Sequence, residues 1–429
     1  MLPAFLTLPP EELAFLRLIA DEATSRNLPA YIVGGFVRDL VMGHPSLDFD
    51  IVIVGDAIAL ARALARKHGG TVTAHPRFGT ATWTVDSGGW KVENGSRLPS
   101  AIDLATARRE SYARTAALPD TTPSTIEDDI GRRDFTINTL ALRLDGAHFG
   151  ELYDLYNGKA DIERGLVRVL HPGSFLDDPT RLFRAVRYEQ RYGFMIELQT
   201  LALVPAARPG VAQLSPERVR HELDLVFDET RAAQMLARLD ELGLVKAVHE
   251  ALPWSAALRE RLERGLTAPV GPEWDLSLRY AGVPFHWVVG YTLWLLDLTA
   301  GEIDAAQARL AFPRLVVDSI RAAAQLKADL PALSGATPSQ WVERLGGVPL
   351  SAIYAVFLVS GEKALEAYAV QWQHIRPKID GEALKALGVP PGPAYTKILL
   401  RLRAAWLDGE VASAQQEKAL LKKLLAALR

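Results

Sequence analysis

The stretch Tyr31-Ile32-Val33-Gly34-Gly35-Phe36-Val37-Arg38-Asp39, followed by Asp48-Phe49-Asp50, decides the fold. The apolar run from Ala30 to Val33 reads as a strand, and Gly34-Gly35 permits a tight turn and close approach of the backbone to a ligand. A short helix near 37–42 follows, and its free N–H groups suit a phosphate. Asp48-x-Asp50 then leads into Ile51-Val52-Ile53-Val54, a β-branched strand over 50–54. Strand side chains alternate faces, so Asp48 and Asp50 point the same way, about 6–7 Å apart along the chain. An Asp-x-Asp on its own is usually a solvated strand end. Beside a glycine turn, two convergent carboxylates are what two-metal phosphoryl transfer requires.

Outward from this stretch, residues 11–27 carry apolar side chains at helical spacing, and helix 56–68 stops at Gly69-Gly70. Strands are expected near 71–74, 79–85, 90–93 and 101–105, with hairpin punctuation at Ser87-Gly88-Gly89 that makes part of the sheet antiparallel. Residues 110–129, with Pro119, Pro123 and many small polar side chains, read as a loop. After about residue 174 the pattern is helical, broken at 205–210, 269–272 and 387–393. The expected architecture is α+β, a mixed-sheet head of roughly 150 residues followed by helices.

The 429 residues allow two or more domains. No apolar run reaches the ~18–20 residues of a membrane span, so no membrane partner is expected and a cytoplasmic location is the default. Zero cysteines exclude a disulfide framework and thiolate metal sites. The net charge of −3 excludes a chain that is basic throughout, yet basic residues cluster. From Arg376 to Arg429 there are ten Lys/Arg against five Asp/Glu, a face that fits RNA, a second subunit or plain solvent.

Three further segments bear chemistry. Asp103 lies between apolar residues in Ala101-Ile102-Asp103-Leu104-Ala105. As a third carboxylate beside Asp48 and Asp50 it completes an oxygen-rich site suited to Mg²⁺. Arg132-Arg133-Asp134-Phe135-Thr136-Ile137-Asn138 gathers two guanidiniums, an acid and an amide, and the arginine fork matches phosphate. In Asp177-Asp178-Pro179-Thr180-Arg181, Asp178 reads as a helix N-cap with Pro179 at the first helical position. Arg181, Arg184 and Arg187 then recur every three residues, within reach of one another. Asp178 and Arg181 can read a base edge, and the later arginines can meet phosphates.

Together these segments resemble the class II nucleotidyltransferases, the bacterial-type CCA-adding enzymes and their poly(A) polymerase relatives. The resemblance runs through Gly34-Gly35-x-x-Arg38-Asp39 with Asp48-x-Asp50, then Arg132 to Asn138, the Asp154, Gly158, Asp161 pattern, Asp177-Asp178-x-x-Arg181, and Ser215-Pro216-Glu217-Arg218. It implies a polymerase-β-like nucleotidyltransferase head (1–150), a base-recognition neck (151–230), a helical body (231–375) and a tRNA-binding tail (376–429). It also implies that Asp48 and Asp50 hold catalytic magnesium, with Asp103 as the third catalytic acid. Gly34, Gly35, Arg38 and Arg133 would hold the triphosphate, supported by Asp134 and Asn138. Asp178 and Arg181 would imitate a pairing base, with Arg184 and Arg187 as further nucleotide contacts.

The implied reaction adds C and/or A of a 3′-terminal CCA to the acceptor arm of tRNA from CTP and ATP, without a nucleic-acid template. Two departures qualify it. The base-reading motif begins Asp177-Asp178 where the family usually has Glu-Asp, and loop 109–129 is closer to forms that divide CC and A addition between two enzymes. A poly(A) polymerase of the same fold, a non-catalytic RNA-binding protein on this scaffold and a small-molecule transferase are the rivals.

Overall fold

In the computed structural model, which describes residues 8–44, 49–85, 99–274, 279–280, 282–389 and 392–426, the chain opens with helix α1 (Pro10–Ser25). Its Phe15, Leu16 and Ile19 are fully buried against the sheet that follows. Strand β1 (Ala30–Val33) leads through Gly34 into α2 (Gly35–Val41), so the helix begins two residues earlier than its sequence suggests. Then come β2 (Asp50–Ile53) and α3 (Ala57–His68), where the Asp56 side chain accepts a hydrogen bond from Ala59 N at 2.9 Å and caps the helix. Strands β3 (Thr71–His75), β4 (Thr80–Thr84) and β5 (Ala101–Thr106) follow. The expected strand 90–93, the punctuation at 87–89 and Asp48 lie outside the described residues.

The segment 108–131 is not the plain loop that its prolines suggest. Strands β6 (Arg108–Ser111) and β7 (Asp120–Pro123) pair antiparallel into a separate ribbon, and helix α4 (Ile126–Gly131) follows. Polar residues build the ribbon because charge pairs replace an apolar face: Glu110 accepts from Arg108 and from Arg132, 22 residues away. Thr125 caps α4, and three acids occupy its first turn.

Strands β8 (Ala141–Arg143) and β9 (Leu152–Tyr153) complete a seven-stranded sheet in the order β3-β4-β5-β2-β1-β8-β9. The β2–β5 pair is parallel and all others are antiparallel, so the sheet is mixed. Alternation divides its residues cleanly. Ile32, Ile51, Ile53, Ile102 and Leu104 face the core under α1, α2 and α3. Tyr31, Val33 and Val52 face the other way and meet Ile126 and Ile130 of α4.

Beyond the sheet come α5 (Gly158–Arg164), β10 (Leu166–Val167), α6 (Ser174–Asp177), α7 (Thr180–Tyr192) and β11 (Met195–Ile196). Strands β10 and β11 pair in parallel, and the rest of the chain is mostly helical. The chain divides into two units, residues 1–218 with 241–247, and 219–240 with 248–429. In the second, helices Phe285–Leu295, Arg314–Asp329 and Leu350–Ser360 share a buried hydroxyl ladder, Thr292 to Ser319 at 3.0 Å and Ser319 to Ser351 at 3.0 Å. Further on, Ile379, Leu384, Ile398, Leu402 and Leu421 form a small core of their own. Among the described residues no helix is long and apolar enough to cross a membrane.

Candidate active site

The site lies in the first unit, on the sheet face opposite α1 and α3. Asp50 opens β2 on the face of Val52, and in the parallel β2–β5 register it stands beside Asp103. Both acids are exposed, and Asp103 accepts a 2.6 Å hydrogen bond from Thr82 on β4. Asp103 is therefore not an acid trapped among apolar residues. Its neighbours Ile102 and Leu104 are buried on the other face, which leaves its carboxylate open beside Asp50. The donors are oxygens only, which fits a hard divalent cation and not zinc.

The glycine turn forms a cradle. Gly34 has φ +69°, a conformation that glycine adopts without strain. A Cβ there would stand 2.5 Å from Nη1 of Arg133, so the missing side chain is what admits the guanidinium. Arg133 also pairs with Asp129 at 3.2 Å, while its Nε is buried with no acceptor among the described residues. A buried N–H without an acceptor is costly, and an anionic ligand would relieve it. Gly35 leaves similar room beside Arg38, whose Nη2 lies 3.6 Å from where its Cβ would be.

From Arg38 a hydrogen-bonded wall runs across to α7. Arg38 is 5% exposed, with Nε and Nη2 on Asp39 at 2.8 Å and Nη1 donating to Asn138 Oδ1 at 2.6 Å. Asn138 donates to Asp134 Oδ1 at 2.8 Å, and Asp134 Oδ2 receives Nε of Arg184 at 2.7 Å. Burial pushes the Asp134 carboxyl up, but Arg184, Asn138 and Arg181 more than offset it and hold it below the usual carboxylate range. Arg181 reaches Ser174 Oγ and the carbonyl of Arg132, each at 2.7 Å. Arg187 is also buried, with its guanidinium 5.8 Å from the Tyr188 ring. The Asp154–Asp161 segment buttresses this wall from behind: Gly158 presses on the Thr136 carbonyl, and Asp161 accepts from Thr136 Oγ1 at 2.7 Å.

Asp178 stands two residues ahead of α7 in an extended conformation. The helix starts one residue later than the sequence suggests, with Pro179 and not Asp178 at its N-cap, yet Asp178 Oδ1 still accepts from Thr180 N at 3.0 Å. The same oxygen accepts from Thr180 Oγ1 and from Nη2 of Arg218, both at 2.7 Å, so these bonds gather on Oδ1. Arg218 also donates to the carbonyl of Ala116 at 2.8 Å, which ties the ribbon tip to Asp178. Arg218 was legible only as part of the Ser215–Arg218 motif; its partners lie 40 and 102 residues away. Glu110 and Tyr112 are marked in the sequence only as members of loop 109–129, with no role of their own. The Tyr112 hydroxyl meets Glu110 at 3.2 Å, and burial, then the Glu110 charge, push the phenol up to about 12. The charges of Arg181 and Asp178 act on the same phenol, so Tyr112 belongs to their surroundings.

With this geometry in place, likeness to known proteins follows the same segments. Residues 30–168 match the family described as "Poly A polymerase head domain", and residues 193–255 match "Probable RNA and SrmB- binding site of polymerase A". An A-adding tRNA nucleotidyltransferase of Halalkalibacterium halodurans is 33% identical over 423 residues, 95% of this chain and 92% of that protein. A CC-adding tRNA nucleotidyltransferase of Deinococcus radiodurans is 30% identical over 422 residues, 98% of this chain and 96% of that protein. A solved CCA-adding enzyme in an apo form has TM-score 0.83 and 28% identity, covering 99% of this chain and 97% of that one. The chain belongs to the class II nucleotidyltransferases, the family of bacterial-type CCA-adding enzymes and poly(A) polymerases.

Proposed function

We propose that this protein transfers nucleotides from CTP or ATP to the 3′ end of tRNA, releasing pyrophosphate and using its own side chains in place of a template. The observation that carries the reading is the wall from Arg38 through Asn138 and Asp134 to Arg184, which ends beside Arg181 and the half-buried carboxylate of Asp178. A phosphate-binding turn and a base reader on one rigid network bind a nucleoside triphosphate at both ends. Asp48, Asp50 and Asp103 would hold Mg²⁺, which when bound activates the tRNA 3′-hydroxyl and steadies the departing pyrophosphate. Gly34, Gly35, Arg38 and Arg133 border the triphosphate, and Asp134 with Asn138 fix the pocket. Arg181 and Asp178 select the base, and Arg184 and Arg187 stiffen that edge. Catalysis by the protein is then positioning and charge stabilisation.

The reading divides the chain into head (1–150), neck (151–230), body (231–375) and tail (376–429), the last two gripping the acceptor arm. Among the possible products we favour the single terminal A. The A-adding relative is the more similar of the two at 33% against 30% identity. The test offers labelled CTP or ATP to tRNAs ending before, within and after CC, and sizes the products. One A on a CC-ended tRNA is expected. C addition identifies a CC- or CCA-adding enzyme, a long tail a poly(A) polymerase, and no magnesium-dependent pyrophosphate release a non-catalytic protein.

A further inference from the structure

Arg38 is the less exposed of the two arginines proposed to hold the triphosphate, and how its charge is kept in place has a second half that the motifs do not include. Three of its N–H groups are directed at Asp39 and Asn138. Two tyrosines of α7 adjoin the cation: the guanidinium carbon lies 4.9 Å from the Tyr192 ring centroid and 5.3 Å from that of Tyr188. The two rings stack on each other, 6.0 Å apart at 13°. Tyr192 also places its hydroxyl 3.4 Å from Asp39 Oδ1, the oxygen that Arg38 grips. Burial raises the phenol's pKa, so the ring stays neutral at working pH and presents its negative π face to the cation.

The two tyrosines differ in what else they do. Tyr188 is buried and meets Phe135 edge-on at 5.7 Å, so it belongs to the core. Tyr192 is the last residue of α7, half-buried, and ahead of Gly193. Its other aromatic neighbour is Phe194 at 5.6 Å. Removing its ring leaves the core intact while taking away the nearer of the two aromatic contacts of the guanidinium.

We propose that Tyr192 is a positioning residue for polyphosphate binding, keeping Arg38 beside the glycine turn so that its remaining N–H groups face the phosphates of an incoming nucleotide. This rests on the reading of Arg38 as a phosphate ligand. An arginine stacked on an aromatic ring and anchored at two edges loses little freedom when it binds an anion. Without the ring, the guanidinium must be ordered on binding, and that penalty falls equally on every nucleotide, whatever its base.

The test compares Tyr192→Leu, Tyr192→Phe and Arg38→Lys by steady-state kinetics and by inhibition with pyrophosphate, which has no base. Tyr192→Leu should raise KM for the nucleotide and Ki for pyrophosphate together by about tenfold. Its kcat and its preference between ATP and CTP should stay as in wild type. Tyr192→Phe, which keeps the ring, should remain within about twofold of wild type in both constants. If Arg38→Lys leaves the pyrophosphate Ki unchanged, Arg38 is not a phosphate ligand, and the role of Tyr192 falls with it. If Arg38→Lys weakens pyrophosphate and Tyr192→Leu does not, Arg38 stands and Tyr192 is overturned. A changed ATP/CTP preference in Tyr192→Leu, or a Tyr192→Phe as impaired as Tyr192→Leu, also overturns it.

Discussion

Two groups of acids in the first unit are treated in opposite ways. Asp50 and Asp103, side by side on β2 and β5, are left exposed, and Asp103 takes one threonine hydroxyl. Asp134, in the wall, is 7% exposed and receives Phe135 N, Asn138 and the fork of Arg184. A carboxylate that is to reach a ligand must stay accessible at the surface. One meant to hold arginines in place is buried and neutralised by them. The difference separates chemistry from construction: the first pair should matter to rate and little to folding, and the second to both.

Asp50→Ala should break the chemistry most severely, lowering single-turnover incorporation by about a thousandfold or more. Filter binding should show tRNA still bound, and stability should move by less than ~0.5 kcal/mol, as for an exposed side chain. Asp134→Ala should cost the fold about 3–5 kcal/mol in urea unfolding, because Arg184 keeps its charge and loses its partner. The same pair gives a pH test. The Asp134 carboxyl titrates below its ordinary value of 3.8, so its contribution is fully present above about pH 4 and is lost as pH falls further. Thermal melts of wild type should therefore weaken below about pH 4, and Asp134→Asn should flatten that limb.

Gly34→Ala strikes between the two regions. Alanine at φ +69° is strained and its Cβ displaces Arg133, so incorporation should fall about a hundredfold while Asp50 and Asp103 stay in place. Arg218→Ala sharpens the comparison at the smallest scale. Without the guanidinium that holds both Asp178 and Ala116, preference for the correct nucleotide should drop about tenfold. Trypsin should then cut more readily at Arg114, exposed in the ribbon tip.

What could be read beforehand follows the range of the interactions. Strand β2 and helix α3 are local: a β-branched run, an Asp56 cap and a glycine stop lie within 20 residues. The arginines at 181, 184 and 187 announce themselves by spacing, and Asp178 bonds the first turn although Pro179 takes the N-cap position. Residues 110–129 read as a loop because the ribbon strands that enter this segment have no apolar alternation. Their stability comes from Glu110 meeting Arg132 and from the tip carbonyl meeting Arg218, partners that no local pattern reveals. Asp103 was placed correctly in a strand, but its openness beside Asp50 depends on a register between strands roughly 50 residues apart. Helix α4 was within reach, since Thr125 followed by Glu127, Asp128 and Asp129 is an ordinary helix start.

The central claim is that the protein itself supplies the template. It is tested most directly by kcat/KM for ATP, CTP, GTP and UTP on a CC-ended tRNA, in wild type and in Asp178→Ala. A collapse of wild-type selectivity in the variant, with incorporation of the wrong nucleotides rising relative to the correct one, is the expected result. Unchanged selectivity across all four nucleotides would contradict the account.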